Sequence, residues 1–275
     1  MKQLIKNITP PIVYALLRRF LVKPKVFSPT WNTLAYKPLV GIQIFFDPTG
    51  PWQKKIINNT YDTFLFERLN TEALQGKVIY DIGAHIGFHS LYFARLVGPE
   101  GKVYAFEPNP KNLERLKLIC DKNTDIKNII TIFDVAVSNV LGTEEFSMSE
   151  DIESGRSSGG FIDTADTIWE RGAFKQRGFT ETKVRTVPLD LFKEELGISE
   201  APDLIKIDVE GAESLVLLGA KNTLLIKQPI ILLEVHSMLN MFNVVSTLSS
   251  LSYEMEILKE ENDGRCFIEA RPKNT

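Results

Sequence analysis

Residues 78–87, VIYDIGAHIG, decide the fold of this 275-residue chain. Val78–Ile82 is a short apolar run, which predicts a buried strand. Gly83 and Gly87 follow it, and the apolar residues up to Val97 predict a helix that is buried on most sides. Glycine lets the backbone approach a ligand closely, and the start of a helix presents N–H groups without intrahelical partners. The stretch therefore predicts a strand, a ligand-binding turn and a helix.

Strands and helices alternate along the chain after this stretch. Apolar runs predict five strands, at Val78–Ile82, Val103–Phe106, Ile129–Val137, Leu204–Val209 and Ile230–Val235. Helical segments between most of them predict βαβ units and a parallel sheet that is covered on both faces. Two further strands, Tyr253–Leu258 and Cys266–Ala270, flank a short turn at 262–264, so we expect them to form an antiparallel hairpin. The predicted fold class is α/β, a mostly parallel sheet closed by a C-terminal hairpin.

The alternation also predicts the domain organisation. Residues 1–74 are expected to form a basic helical arm and a capping segment, and residues 75–275 the ligand-binding domain. Residues 139–195 interrupt the alternation, and an insertion of this size at a sheet is usually functional. We interpret them as a substrate or lid insertion, with an extra β-ribbon at Glu144–Met148 and Lys183–Val187.

The charge of the chain is divided unevenly. The net charge of −3 combines seven basic and no acidic residues in positions 1–46 with 25 basic and 35 acidic residues in the rest. An acidic body argues against a nucleic-acid-binding protein, because phosphate backbones need a basic surface. The two cysteines, Cys120 and Cys266, suit a reducing compartment and predict a cytoplasmic protein.

The basic segment has two interpretations. Residues 10–25 predict a helix that starts at Pro10-Pro11, and its apolar run is too short to span a membrane. It either docks on the body with its basic side in water, or contacts the anionic inner face of the cytoplasmic membrane. Residues 24–60 look irregular, and Thr60–Leu74 predicts a helix.

Residues around the glycine turn indicate the ligand. Glu107 ends the next strand, 24 residues after Gly83, where a carboxylate can accept both ribose hydroxyl protons of an adenine nucleoside. A dinucleotide site favours three glycines, whereas here His85 stands between Gly83 and Gly87. Asp81 would repel a pyrophosphate but suits the ammonium and sulfonium groups of S-adenosylmethionine. The turn favours this methyl donor over NAD, and an NAD-dependent oxidoreductase remains the alternative enzyme.

Longer motifs resemble a known family. The matching segments are Tyr80–Gly87, Ala105–Asn109, Val187–Asp190, Asp203–Glu213 and Leu233–His236. Together they are similar to the FkbM-type family of class I S-adenosylmethionine-dependent methyltransferases, over roughly residues 75–240. His85 stands where this family often has asparagine. The resemblance implies the seven-stranded class I sheet and an O-methyltransferase that acts on a hydroxyl, often of a sugar, glycan or natural product.

The cofactor residues follow from these motifs. We predict that the cofactor is bound by Asp81, Gly83, Ala84, His85, Gly87, Glu107, Pro108 and Ala136. Ala136 is included because it ends the third strand near the adenine position of this fold, where a small side chain leaves room for the ring.

The candidate catalytic residues follow the fourth and fifth strands. Methyl transfer to a hydroxyl needs a group that removes its proton. His236 is the first candidate, because its ordinary pKa suits neutral pH, and Asp208 is the second. Alternation places Lys206, Asp208 and Glu210 on one side of their strand, as it does Glu234 and His236. The alternative is that the two carboxylates of the fourth strand only cap the following helix, and that His236 is structural.

Three further questions are left open by the sequence. His85 and His89 share an H-x-x-x-H spacing, and Asp208 with its neighbours is a second conceivable metal site, but we predict no metal. Five loop aromatics are candidates for stacking on a sugar: Trp31, Trp52, Phe161, Trp169 and Phe174. A non-catalytic binding module on the same fold is the third functional alternative, after the methyltransferase and the oxidoreductase.

Overall fold

A central sheet with helices on both faces organises the chain. A computed structural model describes residues 29–149, 160–162, 165, 179–262 and 264–273. Within these ranges the strands are β1 Thr30–Thr33, β2 Gln43–Phe46, β3 Val78–Ile82, β4 Lys102–Phe106, β5 Ile130–Phe133, β6 Ala136–Val137, β7 Gly142–Ser149, β8 Gly160–Ile162, β9 Phe179–Val187, β10 Leu204–Ile207, β11 Ile230–Val235, β12 Tyr253–Glu260 and β13 Cys266–Pro272. The α-helices are α1 Pro51–Ile57, α2 Thr63–Leu69, α3 Phe88–Val97, α4 Pro110–Lys122, α5 Phe192–Leu196, α6 Glu213–Leu218, α7 Lys221–Lys227 and α8 Met238–Ser250.

The main sheet has seven strands in the order β12-β13-β11-β10-β3-β4-β5. The pairs β11–β10, β10–β3, β3–β4 and β4–β5 are parallel. Strand β13 runs antiparallel to both β11 and β12, and Gly264 in the turn between the last two strands has a φ of +90°. The predicted parallel sheet with a C-terminal antiparallel hairpin is confirmed.

Side chains of β3 point alternately into two separate cores. Ile79 packs with Leu91 of α3 on one face, whereas Tyr80 and Ile82 pack with Leu248 of α8 on the other. Burial of each large apolar side chain stabilises the fold by about 1.5–3 kcal/mol. The sheet is therefore covered on both faces, which is why its central strands are almost entirely apolar.

The N-terminal segment is more regular than the sequence predicts. Residues 30–57 include an antiparallel hairpin, β1–β2, and helix α1. Ile42, Ile44 and Ile56 are fully buried in the same core as Ile79. The expectation of irregular structure over 24–60 is wrong here, because four-residue strands are too short to show a clear periodicity.

The predicted helix over Thr60–Leu74 is also shorter than expected, since α2 covers only Thr63–Leu69. The residue before it, Asp62, has a left-handed backbone with φ of +47°, so the helix cannot extend further towards the N-terminus.

The insertion forms a second sheet of four strands in the order β6-β9-β7-β8. The predicted ribbon at Glu144–Met148 and Lys183–Val187 is confirmed, because β7 and β9 pair antiparallel along their length. The predicted strand Ile129–Val137 is two strands. Its first part stays in the main sheet as β5, and Ala136 and Val137 pair instead with Thr186 and Val187 of β9.

Helices of the described ranges are too short to cross a membrane. The longest, α4 and α8, have 13 residues, whereas a bilayer needs about 20. The predicted arm helix at residues 10–25 lies outside the described residues.

Gly83 joins the two most informative motifs in space. Its φ is +77°, and a Cβ atom there would lie 1.8 Å from the carbonyl oxygen of Asp208. The glycine turn after β3 therefore touches the backbone that leaves β10. Only glycine combines this left-handed conformation with so close an approach. Gly83 is therefore required for packing the turn against β10, as well as for the approach of a ligand.

We expect Gly83→Ala to destabilise the protein clearly more than Gly41→Ala. Gly41 has a similar φ of +84° but open space around its Cβ position, so its substitution should cost only about 1–3 kcal/mol of backbone strain. Gly83→Ala adds the clash with Asp208, about 1–3 kcal/mol more. Urea unfolding of the two variants measures the difference, and equal losses would contradict the close approach.

Candidate active site

A cavity of about 410 Å³ opens where β3, β4, β10 and β11 end. This is the edge of an α/β sheet at which ligands bind, and the volume is that of a small-molecule site. The N-terminal segment, the second sheet and the C-terminal hairpin complete its wall. The cavity is therefore the candidate active site.

Six of the eight predicted cofactor residues line this cavity: Gly83, Ala84, His85, Glu107, Pro108 and Ala136. Gly87 and Asp81 are not part of the wall. A Cβ atom on Gly87 would lie 2.3 Å from Leu116 Cδ1 of α4, so this glycine serves the packing of α3 against α4.

Glu107 is held at the end of β4 by the backbone. Its Oε2 accepts the N–H of His85 at 2.7 Å, and its Oε1 accepts the N–H of Asn109 at 2.9 Å. Burial raises the pKa of this carboxyl to about 7, against the opposing effect of these N–H groups. A carboxyl group fixed in this way, with further lone pairs beside the cavity, fits the ribose hydroxyls of a nucleoside.

Apolar side chains line another part of the cavity wall. They come from the end of β5 and from the second sheet, and include Val135, Ala136, Phe146 and Phe161. Such a wall suits a flat, apolar ring. Together with Glu107, these residues fit an adenine nucleoside, which is the larger part of S-adenosylmethionine.

Lys206 lies between Asp81 and the cavity. Its side chain is only 6% exposed, and its Nζ lies 3.1 Å from Asp81 Oδ1, 2.7 Å from the carbonyl oxygen of Gly83 and 3.7 Å from Asp208 Oδ2. Burial lowers the pKa of Lys206, but the two carboxylates outweigh it and raise the pKa overall. Asp81 also accepts the hydroxyl of Ser90 at 2.6 Å. Asp81 thus neutralises a buried ammonium group and is fully shielded from the cavity.

His236 lies behind the cavity wall, surrounded by four carboxylates. Its Nδ1 lies 2.8 Å from Glu213 Oε1, and its Nε2 lies 3.5 Å from Glu210, 3.7 Å from Asp208 and 3.8 Å from Glu234. Burial lowers the pKa of this imidazole, but the carboxylates outweigh burial, so the pKa is well above its ordinary value. The arrangement thus favours the imidazolium form of His236. The carboxylates of Asp208, Glu210 and Glu234 stand in the wall itself.

Glu213 fixes the position of His236, a role that the sequence analysis missed. It is fully buried, and besides His236 it accepts the N–H of Gly211 at 3.0 Å and the side-chain amide of Asn240. The N–H of Gly211 and the amide of Asn240 both donate to it, so its carboxyl group is held from several sides. Glu213 is the last residue of the Asp203–Glu213 motif, so the sequence marks it as a family residue. The sequence does not show that it contacts His236.

The hairpin brings a second missed residue to the site. Arg265 Nη1 lies 2.5 Å from Glu234 Oε1. Burial, followed by the charge of Asp208, raises the pKa of Glu234 to about 8, while His236 and Arg265 act in the opposite direction. Lys206, Arg265 and His236 thus supply positive charge to the buried carboxylates.

Two sets of residues resemble metal ligands. Asp208, Glu234 and His236 each offer one donor atom within 4.8 Å of the others, but Lys206 and Arg265 already neutralise this group. His85 has a φ of +53° and stands in the loop before α3, and burial lowers its pKa to about 4. His89 pairs with Asp62 instead, at 3.1 Å. The absence of a metal stays a prediction.

Residues outside the motifs complete the wall. Trp52, Tyr61 and Asp62 come from the N-terminal segment, and Lys259 and Phe267 from the hairpin. Trp52 is among the predicted aromatic candidates, but no local sequence pattern marks the other four as site residues. Only the folded chain brings them to the cavity.

Two of the five aromatic candidates, Trp52 and Phe161, line the cavity. Trp31 does not line the cavity. It is 39% exposed and packs against Phe45 and Lys122. Trp169 and Phe174 lie outside the described residues.

Comparison with known proteins places this cavity in a family. The model of the methyltransferase FkbM domain matches residues 81–260, which include the glycine turn, Glu107 and the whole carboxylate cluster. The chain belongs to the FkbM methyltransferase family. It is an S-adenosylmethionine-dependent methyltransferase with the class I fold, so the oxidoreductase alternative is wrong.

Curated relatives and a solved structure agree with this membership. The chain is 28% identical over 203 residues to the hexuronic acid methyltransferase AglP of Haloferax volcanii, covering 74% of each protein. It is 33% identical over 150 residues to the 2-O-methyltransferase NoeI of Sinorhizobium fredii, covering 54% of this chain and 58% of the relative. The structure of methyltransferase FkbM from Methylobacillus flagellatus superposes with a TM-score of 0.51 and 16% identity, over 70% of this chain and 43% of that one.

We expect Glu210→Gln to lower the pKa of His236. Glu210 is the strongest of the groups that raise this pKa, so removal of its charge makes the imidazolium less stable. NMR titration measures the change, and the three histidines of the chain make assignment simple. Glu254→Gln, an exposed residue of β12, is the control. An unchanged or higher pKa in Glu210→Gln would contradict the electrostatics described above.

Proposed function

We propose that this protein transfers the methyl group of S-adenosylmethionine to a hydroxyl group of a sugar or glycan. The observation that carries the proposal is the carboxylate of Asp208, which stands in the wall of the cavity that Glu107 and the glycine turn also line. The nearby charges of Lys206 and His236 outweigh burial, so the pKa of Asp208 lies below its ordinary value. An ionised carboxylate at this place is suited to hold a hydroxyl by its proton.

The proposal assigns the cofactor to the residues that fit it. Glu107 would hold the ribose hydroxyls, the apolar wall around Ala136 would hold the adenine, and the turn from Gly83 to His85 would hold the amino-acid portion. When bound, S-adenosylmethionine supplies an electrophilic methyl group on a positively charged sulfur. The acidic character of the cavity favours such a cation.

The proton of the acceptor hydroxyl has a defined destination in this proposal. Asp208 would orient the O–H group and accept its proton while the oxygen–methyl bond forms and the sulfur–methyl bond breaks, which leaves S-adenosylhomocysteine. The sequence predicts His236 as the first candidate for the base. In this proposal Asp208 takes that role, because the carboxylates around His236 favour its imidazolium form. His236 and Lys206 keep Asp208 ionised, while Glu210 and Glu213 favour the protonated form of His236.

The acceptor class is proposed from the wall and the relatives. Trp52 offers apolar surface, and Asp208, Glu210 and Arg265 offer hydrogen-bonding groups, a combination that suits the faces and hydroxyls of a sugar. The relatives AglP and NoeI are named as a hexuronic acid methyltransferase and a 2-O-methyltransferase. These names support a sugar hydroxyl as the acceptor of this enzyme too.

The direct test uses the purified protein, S-adenosylmethionine with a labelled methyl group and a pool of oligosaccharides. We expect label in a sugar methyl ether, identified by hydrolysis and mass spectrometry.

We also expect the activity to persist in EDTA, because Lys206 and Arg265 already neutralise the carboxylates. Label on nitrogen, carbon or protein only would contradict the proposed acceptor, and a loss in EDTA that Mg²⁺ restores would contradict metal independence.

Asp208→Asn should lower kcat by about 10²- to 10⁴-fold, because the amide cannot accept the hydroxyl proton. Binding of S-adenosylhomocysteine should change little, since the ribose and adenine contacts remain. Glu261→Gln is the matched control, because it removes a carboxylate from the same wall beside Lys259 and should keep kcat. Wild-type kcat in Asp208→Asn would remove the proposed base.

We also propose that residues 10–25 bring this enzyme to an anionic membrane surface. The support is their charge alone, with no acidic residue among the first 46. Flotation of the full chain with vesicles rich in anionic lipid decides it, and intact protein that stays unbound at low salt would end this proposal.

A further inference from the structure

Asp62 occupies a helix-capping position without capping its helix. It precedes α2 directly, and Asp is among the most effective N-cap residues. Its side chain makes no capping hydrogen bond, and its backbone has a left-handed φ of +47°. Its Oδ2 lies 3.1 Å from Nε2 of His89 on α3. The carboxylate is thus turned away from its own helix and towards the cavity, which both residues line.

The segment around Asp62 packs directly on the glycine turn. The ring of Tyr61 lies 5.5 Å from that of Phe88 and 6.0 Å from that of His89, in the first turn of α3. Trp52 lies 5.6 Å from the ring of His85, inside the turn itself. The N-terminal segment therefore covers the turn from Gly83 to His85, where the proposed function puts the amino-acid portion of the cofactor.

Asp81 is not available to the cofactor's ammonium group. Lys206 contacts both the Asp81 carboxylate and the carbonyl oxygen of Gly83, and Asp81 is fully buried. The ammonium of Lys206 thus takes the contacts that the sequence analysis assigned to the cofactor. An ion pair between the protein and the cofactor's ammonium group therefore needs another carboxylate of the cavity wall.

Among the described carboxylates of the cavity wall, Asp62 is best suited to this task. Glu234 is paired with Arg265, and Asp208 lies between Lys206 and His236. Glu210 lies 3.5 Å from His236, and Glu261 is paired with Lys259. Glu107 is on the ribose side in our assignment. The side chain of Asp62 is 11% exposed, and its contact with His89 is made by Oδ2. Its Oδ1 accepts no hydrogen bond from the described residues. One carboxylate oxygen is held in place and the other remains for a ligand.

We propose that the carboxylate of Asp62, anchored by His89, binds the α-ammonium group of S-adenosylmethionine. The inference rests on the proposed function only in that S-adenosylmethionine binds this cavity. Asp62 lies outside the matched region 81–260, so the proposal makes the N-terminal segment part of the cofactor site. A charge-assisted hydrogen bond of this kind is strong enough to matter for affinity.

The experiment is a binding cycle by calorimetry with two ligands. One is S-adenosylhomocysteine, and the other is the same molecule without its amino group, 5′-(3-carboxypropylthio)-5′-deoxyadenosine. We expect wild-type protein to bind the first about 10- to 100-fold more tightly than the second. In Asp62→Asn this difference should largely disappear, because both ligands then lack the ion pair. Glu67→Gln, an exposed residue of α2, should keep the wild-type difference.

Each outcome has a distinct meaning. Equal wild-type affinity for the two ligands would overturn the proposal without any variant, which covers the case in which Asp62→Asn does not fold. An undiminished difference in folded Asp62→Asn would also overturn it. Asp62→Glu, which keeps the charge, should retain part of the difference. Wild-type protein that binds neither ligand would overturn the cofactor site itself, and thus the proposed function.

Discussion

One buried ammonium group holds the candidate site together. Lys206 Nζ contacts the Asp81 carboxylate and the carbonyl oxygen of Gly83, and lies 3.7 Å from Asp208. These residues come from β3, the glycine turn and the end of β10, so one side chain joins the family's two main motifs. Removal of one partner from a buried ion pair leaves an uncompensated charge, which is strongly destabilising. The tight turn at Gly83 and the ionisation of Asp208 both depend on this contact.

Charge is arranged in layers around the cavity. Lys206 and His236 stand behind Asp208, and Glu213 stands behind His236 at 2.8 Å. Each of these buried groups therefore has an opposite charge beside it. Asp208, which lines the cavity, presents a negative charge to it. Such an arrangement keeps a carboxylate ionised in a partly buried place, where burial alone would favour its neutral form. In the proposed mechanism, His236 thereby helps to remove the hydroxyl proton without accepting it.

The sequence predicts the sheet better than it predicts the site. Strands β3 and β11 have the predicted bounds, because each is a mostly apolar run interrupted by a single carboxylate. The motif residues meet because parallel strands end at one edge. The spacing cannot show that Asp81 and Lys206 are neighbours in adjacent strands. Because Lys206 lies between Asp81 and the cavity, Asp81 does not line the cavity. It also cannot show that His236 lies behind Asp208. Asp62 and Arg265 reach the wall through tertiary packing far from the motifs.

The central claim is that this cavity holds S-adenosylmethionine with its methyl group on the side where Asp208 stands. A crystal structure of the full chain with S-adenosylhomocysteine tests it most directly. The account predicts ribose hydroxyls within hydrogen-bonding distance of Glu107 and the sulfur facing the side of the cavity that holds Asp208. A ligand bound elsewhere, or a sulfur directed away from Asp208 with another group facing it, would contradict the account.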